Sequence, residues 1–338
     1  MRFAKWGNVS LNSTINTPRY LFGPVASRRY GQSLGIDLAT PKTCSLNCRF
    51  CQLGPTPTTT ITRSDSPPIQ EVLDELRAWL ASHPPVDFIT ASGSGEPTLH
   101  LRFGDLFQFV RNETPSRSLL LSNGSLFTLP DVRHHAARAD VVKLSLHAWD
   151  QESFSQITRP HPSLVFDEIL AGFLTFRTQF SGRLDLEVFI IPGLNDLPEQ
   201  VMRIAAHAKR IAPDSITLNT AIRPPAENDV TACSPQHLQD LAKLFSPIAQ
   251  VSGTEPTATP APFSDDALIA LVHRHPVSLT ALCETYSLEK KEMLSVLEKL
   301  FHQNKIHLFD RTGIPFAGPL SLKNQHTDQS PTEEHPNR

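Results

Sequence analysis

From residue 33 onward the chain switches repeatedly between two hydrophobic periods. Apolar side chains alternate, or run together briefly, over residues 33–38, 87–93, 117–124, 141–148, 184–193 and 215–222. Between these stretches they recur every three or four residues, over 69–80, 103–112, 130–140, 164–180, 197–212 and 234–249. The first period predicts strands and the second predicts amphipathic helices. Regular strand–helix alternation implies a parallel sheet covered by helices. About six such units can be counted, fewer than the eight of a closed barrel. The expected fold class is therefore α/β, a partial (β/α)6 TIM-type barrel, with a doubly wound sheet as the structural alternative. Residues 1 to about 32 show neither period and are expected to be irregular.

The pattern changes at Gly253-Thr-Glu-Pro-Thr-Ala-Thr-Pro-Ala-Pro262, a linker by composition. Beyond it, helices are expected over 264–275, 279–286 and 288–304, then a hairpin from 305 to 316. Three helices and a hairpin predict a small C-terminal winged-helix domain. The expected organisation is a barrel domain over 1–252, a linker over 253–262, a winged helix over 263–320 and a disordered polar tail over 321–338.

Composition narrows the class further. The chain has 338 residues, 39% hydrophobic and 19% charged, which suits one large and one small folded unit. With a formal charge of -3, nothing global argues for a polyanion partner. Between residues 264 and 320, six basic residues face seven acidic ones, so this segment lacks the basic excess of a nucleic-acid module. No apolar run approaches the roughly 18 residues of a membrane span, and the first residues lack a signal-peptide core, so no membrane partner is expected and the location is read as cytoplasmic.

Cysteine changes the picture most. Three of the five cysteines, Cys44, Cys48 and Cys51, fall within eight residues, just past the first predicted strand. In a long chain of this type, such clustering points to a metal or catalytic site rather than to disulfides. Structural zinc wants four ligands, and nothing in the sequence is paired with the trio. Unligated buried thiols are the usual fate of single cysteines, not of three in one loop. A [4Fe–4S] cluster held by three thiolates keeps one iron open to bind something else.

Cys44-x3-Cys48-x2-Cys51, with Phe50 before the last cysteine, resembles the signature of the radical S-adenosylmethionine superfamily. The resemblance spans roughly residues 20–250. It implies a [4Fe–4S] cluster on the three cysteines, with S-adenosylmethionine bound to the open iron. It also implies reductive cleavage of that cofactor and a 5′-deoxyadenosyl radical that takes hydrogen from a substrate. Gly93-Ser-Gly95-Glu96-Pro97 resembles the family's Gly-Gly-Glu-Pro motif, with Ser94 in place of the second glycine. Glycines admit close approach of backbone to ligand, and a carboxylate suits the cofactor's ammonium. The resemblance further implies cofactor contacts at Phe50, Ser122, Asn123, Ser145 and Asn195. Ser122 and Asn123 also fit a strand-ending turn, and Asn195 also fits a helix N-cap. Residues 23–38 and 93–100 look closest to the branch of wyosine-type tRNA synthases. With only Cys233 and Cys283 left over, the chain carries one such cluster.

Active sites of β/α barrels lie at the C-terminal strand ends. His147, Asn219 and Arg223 are expected there against substrate, with Arg28 closing the opening from the N-terminal side and Arg159 nearby in sequence. Converging arginines suggest an anionic substrate. With no second redox centre visible, an external electron donor such as a ferredoxin or flavodoxin is implied. The winged helix is expected to dock a protein or RNA partner. Two other functions stay open: an iron–sulfur regulator that binds nucleic acid through the winged helix, and an RNA-modifying enzyme.

Overall fold

Leu34 and Ile36 are fully buried on one face of a strand, while Ser33 on the other face bonds Thr90 Oγ1 at 2.7 Å. This split between an apolar outer face and a polar inner face organises the whole sheet. The computed structural model describes residues 19–27, 29–39, 41–252, 260, 263–274, 276–311 and 313–320. Arg28, most of the expected linker and the expected tail lie outside the described residues.

The sheet has eight strands in sequential order: β1 (Leu21–Ser27), β2 (Gly31–Asp37), β3 (Phe88–Ser92), β4 (Arg117–Ser122), β5 (Val141–Ser145), β6 (Arg183–Phe189), β7 (Ser215–Asn219) and β8 (Gln250–Val251). β1 pairs antiparallel with β2, and every later pairing is parallel. The helices between them are α1 (Ile69–Ser82), α2 (Phe103–Glu113), α3 (Pro130–Ala136), α4 (Gln151–Thr158), α5 (Phe166–Gln179), α6 (Pro198–Ile211) and α7 (Pro235–Ala242). Six parallel strands, β2 to β7, match the six predicted units. The α/β partial-barrel class holds.

The main core lies between the sheet's outer face and the helices. Leu34, Ile36, Ile89, Leu120, Val142, Leu144, Leu186 and Leu218 meet helix residues such as Leu76, Phe107, Phe173 and Ile204 there. A smaller apolar cluster of Tyr30, Phe88, Leu119 and Val141 lies apart from that core, on residues of the opposite strand parity.

Besides the two-residue strand β8, which no pattern predicts, three elements depart from expectation. β1 falls in the stretch read as irregular, because Gly23 and Pro24 interrupt its alternation. An edge strand tolerates a proline, since one of its sides needs no donor. α4 was not anticipated. It is short, and a reciprocal cap between Asp150 and Ser153 fixes its start. The helix expected over 234–249 ends at Ala242, before Ser246-Pro247, where proline ring geometry disfavours helix.

Contacts divide the chain into two units, one reaching Pro262 and the other including everything from Phe263. The second contains α8 (Asp265–Arg274), β9 (Val277–Ser278), α9 (Leu279–Tyr286), α10 (Lys290–His302), β10 (His307–Arg311) and β11 (Ile314–Gly318). Its strands form an antiparallel sheet in the order β10-β11-β9. Leu268, Leu271, Leu282, Met293, Leu297, Leu300 and Phe316 are buried in it. Among the described residues no helix is long and apolar enough to cross a membrane.

Candidate active site

The cysteine loop leaves the C-terminal end of β2 and is pinned on both flanks. Asn47 N bonds Thr158 O at 2.9 Å, and His161 N bonds Ser45 O at 2.9 Å, fastening it to the end of α4. Glu96 N bonds Thr43 O at 2.9 Å, fastening it to the end of β3. Cys44, Cys48 and Cys51 are free thiols and partly buried. Burial, with the nearby Glu96 charge, pushes Cys44 up to about 12. Burial and the neighbouring thiols push Cys48 well above its ordinary value. Lys42 Nζ donates to Cys51 Sγ at 3.6 Å and to Pro55 O at 3.0 Å.

This donor set fits an iron–sulfur cluster. Three soft ligands sit in one loop, and for Cys44 and Cys48 burial makes ionisation unfavourable until a metal charge compensates it. Among the described residues, no three of His, Cys, Asp and Glu gather tightly enough to hold one metal ion. A closed zinc site therefore has no ready donor set in this loop, whereas a cubane spreads its thiolates over several irons.

The glycines at the end of β3 are sterically required. A Cβ on Gly95 would lie 1.9 Å from Thr43 O, and one on Gly93, at φ 126°, would lie 2.5 Å from Asp37 Cγ. Ser94 has its own partner: its Oγ donates to Asp37 Oδ2 at 2.5 Å and its N to Oδ1 at 3.1 Å. Asp37 is fully buried and also accepts from Ala39 N at 3.1 Å.

Glu96 is 2% exposed, and its carboxylate is engaged inside the protein. It accepts from Thr98 N at 3.0 Å, Thr98 Oγ1 at 2.6 Å, Ser122 Oγ at 2.7 Å and Asn123 N at 2.7 Å. Burial raises its pKa, against the pull of those bonds. The side chain thus clamps the ends of β3 and β4 together. Asn123 carries the clamp to the cysteine loop. Its Nδ2 donates to Ser45 Oγ at 3.1 Å and Cys44 Sγ at 3.5 Å.

Phe50 stacks on Phe189 at 4.2 Å and meets His147 edge-on at 4.9 Å. His147 Nδ1 accepts from Phe189 N at 2.9 Å, so the neutral ring carries its proton on Nε2. Burial drives this histidine down to about 4. Ser145, His147 and Asn123 line a small cavity of about 20 Å³ with Leu46 and Phe173, room for about one water. Asn195 is fully buried. Its amide bonds Ile191 N, His147 O and Phe189 O at 2.7–2.9 Å, which ties β6 to the end of β5.

The substrate-side residues divide. Asn219 ends β7 and accepts from Thr220 N at 2.9 Å. Arg223 Nη1 donates to Gln52 Oε1 at 3.2 Å, so its loop meets the cysteine loop. Arg159 pairs with Glu227, which also accepts from Arg49 Nε at 2.6 Å, and Arg49 Nη2 reaches Asp229 at 2.5 Å. Arg28 is outside the described residues. Its neighbour Arg29 lies in the β1–β2 turn, at the opposite end of β2 from the cysteines. Arg29 instead bonds Ser252 Oγ at 3.2 Å, joining the sheet's two edges.

Sequence reasoning passed over Asp37, Lys42, Arg49, Lys143 and Glu187. Two signals were present: Asp37 ends an apolar strand beside the cysteines, and Lys143 shares strand parity with Ser145.

Residues 39–208 match the Radical SAM superfamily, half of the chain, and they include the cysteine loop, the Gly93–Glu96 turn, Asn123, Ser145, His147, Phe189 and Asn195. The chain belongs to that superfamily, whose enzymes bind a [4Fe–4S] cluster and S-adenosylmethionine. More narrowly, it is similar to a protein of Helicobacter pylori (strain ATCC 700392 / 26695) called UPF0026 protein, at 34% identity over 77% of this chain and 86% of that one. It is also similar to a protein of Brachyspira hyodysenteriae named GTPase Obg, at 30% identity over 87% of this chain. The chain spans 44% of the length of that relative. A solved structure described as TYW1 with a lysine-pyruvate adduct bound aligns at a TM-score of 0.49 and 18% identity, over 68% of this chain and 76% of that one.

Proposed function

We propose that this chain is a radical S-adenosylmethionine enzyme with a single [4Fe–4S] cluster on Cys44, Cys48 and Cys51. When bound, the cluster and S-adenosylmethionine supply a one-electron cleavage to methionine and a 5′-deoxyadenosyl radical that takes hydrogen from the substrate. The observation that carries the reading is the convergence of three partly buried thiols with the Gly93–Glu96 turn and Asn123.

The chain's own residues bind, orient and exclude water. Gly93 and Gly95 let the turn pack against Asp37 and Thr43, which sets its backbone beside the cysteine loop to meet the cofactor's amino group. Glu96 and Ser122 hold that turn in shape, and Asn123 holds the first cysteine. Ser145 and the Phe50–Phe189 stack flank the cofactor, while Asn195 positions the His147 backbone. Asn219, Arg223 and His147 face substrate from the strand ends. An external one-electron donor, a ferredoxin or flavodoxin, serves a site with one redox centre. A cytoplasmic setting suits a cluster of this kind.

The order of helices and strands in the second unit supports a winged helix that docks a partner. Its near-neutral charge favours a protein over a nucleic acid. The name GTPase does not transfer, because the sequence has no Gly-Lys step of a phosphate-binding loop.

The test is anaerobic reconstitution and reduction with S-adenosylmethionine, assayed for 5′-deoxyadenosine, with Cys48→Ala as control. Product that vanishes in the control supports the reading. A loaded, reducible cluster that never cleaves the cofactor overturns it and brings forward the iron–sulfur regulator.

A further inference from the structure

Lys143 and Glu187 form an ion pair one inward-facing position below the candidate cofactor site. Alternation on β5 puts Val141, Lys143 and Ser145 on the inner face, and alternation on β6 puts Asp185, Glu187 and Phe189 there. Ser145 is paired in register with Glu187, and Phe189 carries Phe50. Lys143 Nζ donates to Glu187 Oε2 at 2.6 Å. The pair is therefore a floor beneath the aromatic stack, Ser145 and His147.

The layer beneath is closed. Asp185 accepts from Tyr30 Oη, Arg183 Nε and Ser215 Oγ, each at 2.8 Å. Tyr30 also joins Phe88, Leu119 and Val141 in the apolar cluster. The Lys143–Glu187 layer is open by contrast, with 16% and 20% of the two side chains exposed. Among the described residues, Lys143 donates to Glu187 alone, and Glu187 Oε1 accepts from no protein donor. Burial works to raise the Glu187 pKa, but Lys143 foremost, with His147 and Arg29 behind it, outweighs burial, so the carboxylate is held below its ordinary value and stays charged.

An ion pair inside a barrel adds little stability, because desolvation offsets the attraction. This one leaves ammonium protons and a carboxylate oxygen side by side without protein partners. A simple anion on Lys143 would crowd Glu187, and a simple cation on Glu187 would crowd Lys143. A ligand carrying both charges on adjacent atoms satisfies both groups and leaves the net charge of the floor unchanged. We propose that Lys143 and Glu187 form the floor of the substrate site and bind a free α-amino acid, carboxylate on Lys143 and ammonium on Glu187 Oε1. This rests on the radical S-adenosylmethionine reading and supplies its substrate class. The amino acid's side chain then extends upward, towards the aromatic stack and the Nε2–H of His147.

The experiment is titration calorimetry on the anaerobic, cluster-loaded, oxidised full chain saturated with S-adenosylmethionine, so that the methionine site is already filled. The probes are the twenty free L-amino acids, then the amide and the 2-hydroxy acid of whichever binds. At least one amino acid should bind. The two analogues, each lacking one charge, should bind about tenfold more weakly or worse, as should wild-type ligand to Glu187→Gln and Lys143→Met. S-Adenosylmethionine affinity, measured on each variant, is the folding control, and where it is lost the analogue series on wild type decides alone. No binding by any amino acid, or binding indifferent to the missing charge, overturns the proposal. The same preparation, once reduced, is assayed for 5′-deoxyadenosine. Cofactor cleavage without amino-acid binding sinks this inference only, while absence of cleavage sinks the reading beneath it.

Discussion

Ser94 Oγ lies 2.5 Å from Asp37 Oδ2, and that bond explains why this chain carries serine where the superfamily's motif has a second glycine. A buried carboxylate at the end of β2 needs donors, and the hydroxyl supplies one. Ser94→Gly should therefore destabilise the protein, by about 1–3 kcal/mol for a lost bond to a buried carboxylate. Denaturant unfolding of the two proteins checks it. A Ser94→Gly, Asp37→Asn pair should recover part of the loss, since the amide removes the unmatched charge.

Lys42 places a donor 3.6 Å from Cys51 Sγ. Hydrogen bonds and positive charge near ligating sulfur favour the reduced cluster. Lys42→Met should load its cluster yet show a midpoint potential more negative by about 60 mV, the equivalent of one charge-assisted bond. Redox titration followed by electron paramagnetic resonance reads this directly, and an unchanged potential would count against the contact.

Glu227 gathers Arg49 and Arg159, joining the loop after β7 to the cysteine loop and the end of α4. Glu227→Ala should strand both arginines and loosen residues 220–234. The expected result is faster limited proteolysis in that loop and weaker S-adenosylmethionine binding. The stability cost stays near 1 kcal/mol, because Arg159 is half exposed and solvent screens its share.

His147 is held neutral by burial, with a folded pKa of about 4 against an unfolded 6.5. Glu187 pulls it up and Lys143 pushes it down. A depressed pKa means that its contribution is complete above pH 6.5 and is lost as the pH falls towards 4. The loss reaches about 3 kcal/mol at most. Urea midpoints measured between pH 7 and 4 should fall steeply for the wild type and less steeply for His147→Gln, with His100 and His135, also depressed by burial, and, near pH 4, the lowered carboxylates Asp131, Asp150 and Glu187 contributing to the remaining slope.

Much of this architecture could be read from the chain because its strands are short, apolar and regularly spaced. The helix over 279–286 appears with the limits predicted for it. The three cysteines, Glu96 and Asn123 stood out because their spacing is local. What stayed hidden depends on neighbours far apart in sequence. Lys143 and Glu187 meet only because β5 and β6 pair in register. Glu96 looked like a ligand-facing carboxylate, but its four donors come from its own turn and from β4. Asn195 reads in the sequence as a cofactor contact or a helix N-cap, and only the fold shows that its buried amide braces two strands.

Arg29 and Ser252 stand 223 positions apart, and their bond joins the first and last edges of the sheet. Every pairing from β1 to β8 links strands that follow one another in sequence, so the sheet can grow outward as the chain is synthesised. The edge-to-edge tie must wait for residue 252. Assembly therefore has a direction: the cysteine loop and its clamp can be in place while the barrel is still a curved wall, open along one side, and the lumen is enclosed last.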